Sequence, residues 1–289
     1  MIRSTSWTNV GAQDAAQQTY ASVKKAIAAH PALTDKSVEV FLQGSYANST
    51  NVHGDSDVDI VVMSRKTFYS DTDRLSFGEK LAYEQQRVPA TYLPKQLRTD
   101  IIAALTDYYG ASRIEIHKKC IRVLKRDGYV DADVVPAFQY RLYRHFGPLF
   151  GHDYIEGTAL FPSEGSRIVN YPKEHKKNGS AKNLITLSRY KPTVRQLKNL
   201  KRHVVALGQI DPKAVPGYLL ECMAYNIPRQ LFHEYDHTRL LAVTDWLGSA
   251  DYTNFESVDG IHTLFGTDPG NFSQSAARDA IKVLARHLS

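Results

Sequence analysis

The stretch that decides the fold is "FLQGSYANSTNVHGDSDVDIVVM", residues 41–63. An apolar run reaches a Gly-Ser pair, Gly44-Ser45, and a polar interval follows. A second run, "DSDVDIVVM", then carries two aspartates one residue apart among apolar neighbours. Side chains alternate faces along a strand, so Asp57 and Asp59 share one face while Val58 and Ile60 take the other. Their Cα atoms then lie roughly 6.5–7 Å apart. Two ionised carboxylates on one face repel, and burying them without a partner costs several kcal/mol or forces protonation. Because Ile60, Val61, Val62 and Met63 follow at once, the strand reads as central, with little exposed surface. Two acids there need a reason.

A divalent cation removes the repulsion. Carboxylate oxygens suit Mg²⁺, which keeps some waters and completes its shell with substrate phosphates. A pair of such ions needs a third acid, and "VDADVVPAF" offers Asp131 and Asp133 on one face of another predicted strand. Asp133, directly before Val134-Val135-Pro136, is the first choice and Asp131 the alternative. The Gly44-Ser45 turn adds to this. Glycine admits close approach of the backbone to a phosphate, and turn N–H groups with the Ser45 hydroxyl can receive a triphosphate.

Outward from this stretch, Ala16, Tyr20, Val23 and Ile27 recur at helical spacing, predicting a helix over 12–29 that His30-Pro31 ends. Val38, Val40 and Leu42 alternate as a strand running into Gly44, and residues 45–53 read as a turn or short helix. Residues 74–109 read as helical, interrupted between Pro89 and Pro94. "CIRVLKRDGYVDADVVPAF" reads as a hairpin turning at Asp127-Gly128. Residues 163–192, rich in Lys, Asn, Gly, Pro and Ser, read as a loop region and domain junction. From "PTVRQLKNLKRHVVAL" onward the pattern is mostly helical, with Val194, Leu197, Leu200 and Val204 in one stripe. There is no internal repeat.

The chain of 289 residues is 43% hydrophobic and 23% charged, ordinary for a globular protein. No run of eighteen apolar residues suggests a membrane span, and residues 1–20 have no apolar segment of signal-peptide length, so cytoplasmic residence is the expectation. Cys120 and Cys222 lie far apart, without metal-ligand spacing or a disulfide framework. The net charge of +6 suits anionic ligands such as nucleotides and is too small to indicate a nucleic-acid polymer.

"LQGSYANSTNVHGDSDVDIVV" resembles the Gly-Ser and Asp-x-Asp signature of the nucleotidyltransferases that share the DNA polymerase β palm. "DADVVPAF" and "PGYLLECMAYNIP" resemble the bacterial cGAS/DncV-like nucleotidyltransferases (CD-NTases). The resemblance implies an α+β fold: a polymerase β-like core of mixed sheet and flanking helices, residues 1–165, then a mostly helical domain, residues 166–289, with the active site in the cleft between them. It implies Mg²⁺-dependent joining of nucleoside triphosphates (ATP, GTP, UTP or CTP) into a cyclic oligonucleotide. Two Mg²⁺ ions are expected, with Mn²⁺ as a substitute. The product would act as a second messenger on a separate effector in anti-phage defence (CBASS), and the synthase would be a monomer.

By that resemblance Asp57, Asp59 and Asp133 match the metal-binding catalytic triad. Gln43, Gly44 and Ser45 match the phosphate-holding turn, Lys198 a triphosphate-contacting lysine, and Tyr218 a base-stacking tyrosine. Gly217 departs from the pattern, since the family often has serine there. The Cys/His zinc ribbon of the animal DNA sensor is absent from the sequence. "IVNYPKEH" resembles a segment of a pyrimidine-accepting clade, in which Asn170 would address a uracil edge with its amide donor and acceptor. Two rival readings are a nucleotidyltransferase that modifies an RNA end, a protein or a small molecule without cyclising, and a degenerate nucleotide-binding or antitoxin-like module. The intact acid set disfavours the latter.

Overall fold

A computed structural model describes residues 10–52, 57–147, 151–266 and 271–288. The first nine residues, which carry part of the reading against a leader, and residues 53–56 before the acid strand lie outside this set. Contacts divide the described chain into two units: residues 10–46 with 57–172, and residues 47–52 with 173–288.

The first unit opens with α1 (Val10–Ala29), then β1 (Val38–Leu42), the short α2 (Gly44–Asn48) and the long β2 (Asp57–Asp71). Helices α3 (Phe77–Gln86) and α4 (Pro94–Tyr109) follow, on either side of the expected proline break. The rest is β3 (Ile114–Ile116), β4 (Ile121–Val123), β5 (Asp131–Gly147), β6 (Gly151–Leu160) and β7 (Ile168–Asn170). The sheet runs β1-β2-β5-β4-β3, with β6 joining β5 to β7. Only the β2–β5 pair is parallel among the described ladders; β4 and β5 form the expected antiparallel hairpin.

Strand alternation sorts β2 cleanly. Val58, Ile60 and Val62 pack with Val23 and Ile27 of α1, Leu97, Ile101 and Leu105 of α4, and Val134 and Phe138 of β5. That face is dry and supplies the unit's hydrophobic stabilisation. Asp57 and Asp59 therefore emerge on the other face, ahead of Val61 and Met63.

The second unit contains α5 (Pro172–Ile185, its first residue at the junction), α6 (Tyr190–Ala206), α7 (Gly217–Asn226), α8 (Asp236–Ser249) and α9 (Gln274–Arg286). The stripe Val194, Leu197, Leu200 and Val204 packs with Leu219, Leu220, Met223, Val243, Leu247, Ile281 and Leu284. The structure corrects the loop expected over 163–192, because β7 and α5 lie inside it. Pro172 starts α5 with φ preset for a helix, and Glu174 falls in its first turn. The helix buries only His175 and Gly179, so it shows no apolar stripe for a sequence pattern to reveal. Among the described residues no helix is long and apolar enough to cross a membrane.

Candidate active site

The acids meet across the parallel pair. In the β2–β5 register Asp57 lies opposite Asp131 and Asp59 opposite Asp133, so four carboxylates point from one face. Their surroundings differ. Asp131 Oδ1 accepts the Lys125 backbone N–H at 2.7 Å and so closes the β4–β5 turn. Asp133 faces the next strand, where its register partner is Arg122. The Arg122 Nε donates to Asp133 Oδ1 at 3.1 Å, and its Nη2 donates to Asp57 Oδ2. Burial opposes the Arg122 charge, but Asp133, Asp57 and Asp131 outweigh it and hold its pKa above the ordinary value. Cys120 sits beside Asp133; burial first, then the Asp133 charge and hydrogen bond, push its thiol up to about 11. That keeps the thiol neutral and unreactive at pH 7.

Among the described residues no group of three or more His, Cys, Asp or Glu side chains is arranged to enclose a metal ion. A guanidinium supplies the positive charge instead, bridging Asp57 and Asp133. This stand-in cation and the all-oxygen donor set fit a hard divalent ion far better than a thiophilic one.

The Gly-Ser turn abuts the acids. The Gln43 N–H donates to the Asp59 carbonyl at 2.9 Å, which pins the end of β1 to β2. Gly44 has φ +69°, and a Cβ there would collide with Asp59 Oδ2. Glycine is thus required twice, by its backbone angle and by the close approach of a carboxylate. Ser45 follows in α2.

Asn170 ends β7, exposed, opposite Thr158 of β6. The β7 backbone lies close because β6 has Gly157 beside it: a Cβ there would come within 2.8 Å of the Asn170 carbonyl and 2.9 Å of the Tyr171 ring.

In the helical unit, Tyr218 is 43% exposed despite its place in an apolar helix. Its hydroxyl turns inward to Ser257 and Cys222, and burial raises its pKa, so the phenol stays protonated. Its ring offers a flat apolar surface of the kind on which bases stack. Lys198 is buried: its ammonium donates to the Thr50 carbonyl at 3.1 Å and lies 3.3 Å from Glu221 Oε2. Gly217 has the Lys198 stem 3.4 Å from where its Cβ would be.

The sequence reading missed Arg122, Gly157, Thr50, His175 and Glu221. Only Arg122 left a signal, since folding the hairpin about Asp127-Gly128 lays "IRV" against "ADV".

A mixed sheet whose central parallel pair carries aspartates beside a Gly-Ser turn, followed by a helical unit, defines a nucleotidyltransferase of the polymerase β type. Residues 25–136 match the family model for the nucleotidyltransferase domain, and residues 177–289 match the cGAS/DncV-like nucleotidyltransferase C-terminal helical domain. The cyclic UMP-AMP synthase of Rhodothermus marinus (strain SG0.5JP17-172) is 38% identical over 283 residues, covering 96% of this chain and 93% of that relative. The cyclic nucleotide synthase CdnE01 of Staphylococcus haemolyticus is 33% identical over 278 residues, covering 94% and 92%. A solved structure, that of Rhodothermus marinus CdnE c-UMP-AMP synthase with Apcpp and Upnpp, matches with a TM-score of 0.85 at 36% identity, covering 97% of this chain and 92% of that one. The chain belongs to the cGAS/DncV-like nucleotidyltransferases.

Proposed function

We propose that this protein joins two nucleoside triphosphates, at least one of them UTP, into a cyclic dinucleotide. The observation that carries the reading is the register of β2 and β5, which aligns Asp57 and Asp59 with the strand of Asp133 beside Gly44. The similarity to a cyclic UMP-AMP synthase, together with exposed Asn170, supports uracil as one base.

Asp57, Asp59 and Asp133 would hold two Mg²⁺ ions, which when bound neutralise the triphosphate and make a ribose hydroxyl more acidic. The Gly44-Ser45 turn with Gln43 receives the triphosphate through N–H groups and the Ser45 hydroxyl. Asp133 takes the proton of the attacking hydroxyl at its carboxylate. The hydroxyl oxygen then bonds to the α-phosphorus as the bond to pyrophosphate breaks. Tyr218 stacks on a base, Lys198 contributes positive charge, and the Asn170 amide pairs with a uracil edge. A second round of the same chemistry closes the ring. Catalysis is chiefly positioning and charge neutralisation. The synthase works as a monomer, and its product serves as a CBASS second messenger acting on a separate effector.

Incubating the purified protein with Mg²⁺ and an equimolar NTP mixture tests this. A phosphatase-resistant product whose mass contains uridine supports the reading. A reaction that needs an added RNA, protein or small-molecule acceptor refutes cyclisation.

A further inference from the structure

One buried acid has no part in that chemistry. Glu221, on α7, is 4% exposed, and its carboxylate is surrounded by polar groups. Oε2 accepts the Thr50 hydroxyl at 2.8 Å and lies 3.3 Å from the Lys198 ammonium. Oε1 lies 2.8 Å from His175 Nε2. Burial pushes its pKa up, but the His175 hydrogen bond and the Lys198 charge outweigh this and hold it below the usual value. A fully paired buried acid gives little stability over apolar residues of the same volume. What such a network does well is fix one arrangement of the groups around it.

Here the thing fixed is a strap of chain. Asn48, Thr50, Asn51 and Val52 are each no more than 8% exposed, in a segment with no strand and little helix. In sequence the strap follows directly on the Gly44-Ser45 turn. Two cations one turn apart on α6 hold consecutive carbonyls of it: Arg195 donates to the Ser49 oxygen at 2.6 Å and Lys198 to that of Thr50 at 3.1 Å. Ser49 itself has φ +57°, a conformation that a serine keeps only when its surroundings impose it.

Building on the function proposed above, we infer that Glu221 is a positioning residue for nucleotidyl transfer, fixing through Thr50 and Lys198 the strap that follows the phosphate-holding turn in the chain. Displacing reacting groups by even 1 Å can lower a rate about a hundredfold. Loss of the anchor should therefore appear in kcat.

Two variants of the full chain test this. Glu221→Gln removes the charge, and Thr50→Val removes the hydroxyl that donates to Glu221 and accepts from Lys198, keeping the Lys198–Glu221 pair if the first variant folds poorly. Hydrogen exchange without nucleotide should show amides 48–52 exchanging at least about tenfold faster, with α9 unchanged. At a temperature where each variant is folded by circular dichroism, kcat should fall about tenfold or more, with KM for NTP within about threefold. Unchanged exchange in the strap overturns the inference. So does a wild-type kcat in the folded variants, or a loss confined to KM, which would make the network a substrate contact. If the wild type makes no nucleotide product, the functional reading fails, and the exchange comparison still decides the role of Glu221 in the strap.

Discussion

Asp59 and Asp133 are register partners across the parallel β2–β5 pair, and Arg122 of β4 stands opposite Asp133 on its other side. The acids come from segments more than seventy residues apart and meet because β5 inserts between β2 and β4. Asp59→Asn or Asp133→Asn should lower product formation by at least about 10²-fold, the scale of removing one preorganised electrostatic group. Since each keeps the size of the side chain, circular dichroism should show an unchanged fold. Full activity in both would remove these acids from the mechanism.

Gly44→Ala should damage the site and the backbone together. Its Cβ meets the Asp59 carboxylate, and the left-handed angle adds roughly 1–2 kcal/mol of strain. Gly208 provides the control: its φ is +70°, with nothing within 4 Å of where a Cβ would stand. Gly208→Ala should lose a similar stability in urea titration but retain activity, whereas Gly44→Ala should lose at least about tenfold in kcat/KM as well.

Arg122→Gln removes the guanidinium that bridges Asp57 and Asp133. Without divalent metal the acids lose this counter-charge, so stability should drop by about 1 kcal/mol, a modest figure because these groups are partly exposed. Adding Mn²⁺ alone should restore more melting temperature to this variant than to wild type, read by differential scanning fluorimetry with and without chelator. An equal restoration would mean that Arg122 and the cation do not compete.

His262 and Asp259 set a pH dependence in the helical unit, with Nδ1 and Oδ2 2.8 Å apart. The hydrogen bond that His262 Nδ1 donates to the Asp259 carboxylate raises the His262 pKa above 6.5, against the effect of burial. A raised pKa contributes stability in full below 6.5 that is lost as pH rises through the folded value. Burial alone would raise the Asp259 pKa, but His262 and two backbone N–H groups hold it down, so its share persists above the usual carboxylate range and is lost on acidification. The stability gap between wild type and His262→Gln should be about 0.5–1 kcal/mol near pH 5.5 and shrink by pH 8. A gap that grows with pH would contradict this pairing.

The local features of the acid site were legible in the sequence. Alternation put Asp57 and Asp59 on one face, and the Asp127-Gly128 turn made β4 and β5 a hairpin. What was not legible depends on packing. Lysine-rich α5 hides its period because it buries so little. Lys198 looks like a surface cation on an amphipathic helix until Glu221 and Thr50 are seen around its ammonium. Gly157 reads as an unremarkable strand glycine until β7 is laid 2.8 Å from its missing Cβ.

Anomalous diffraction from crystals grown with Mn²⁺ and a nonhydrolysable UTP analogue tests the central claim most directly. Manganese peaks should bond to oxygens of Asp57, Asp59 and Asp133, with Arg122 drawn away from them and the nucleotide tail on the Gly44-Ser45 turn. Manganese absent from these three carboxylates while nucleotide is bound would contradict it.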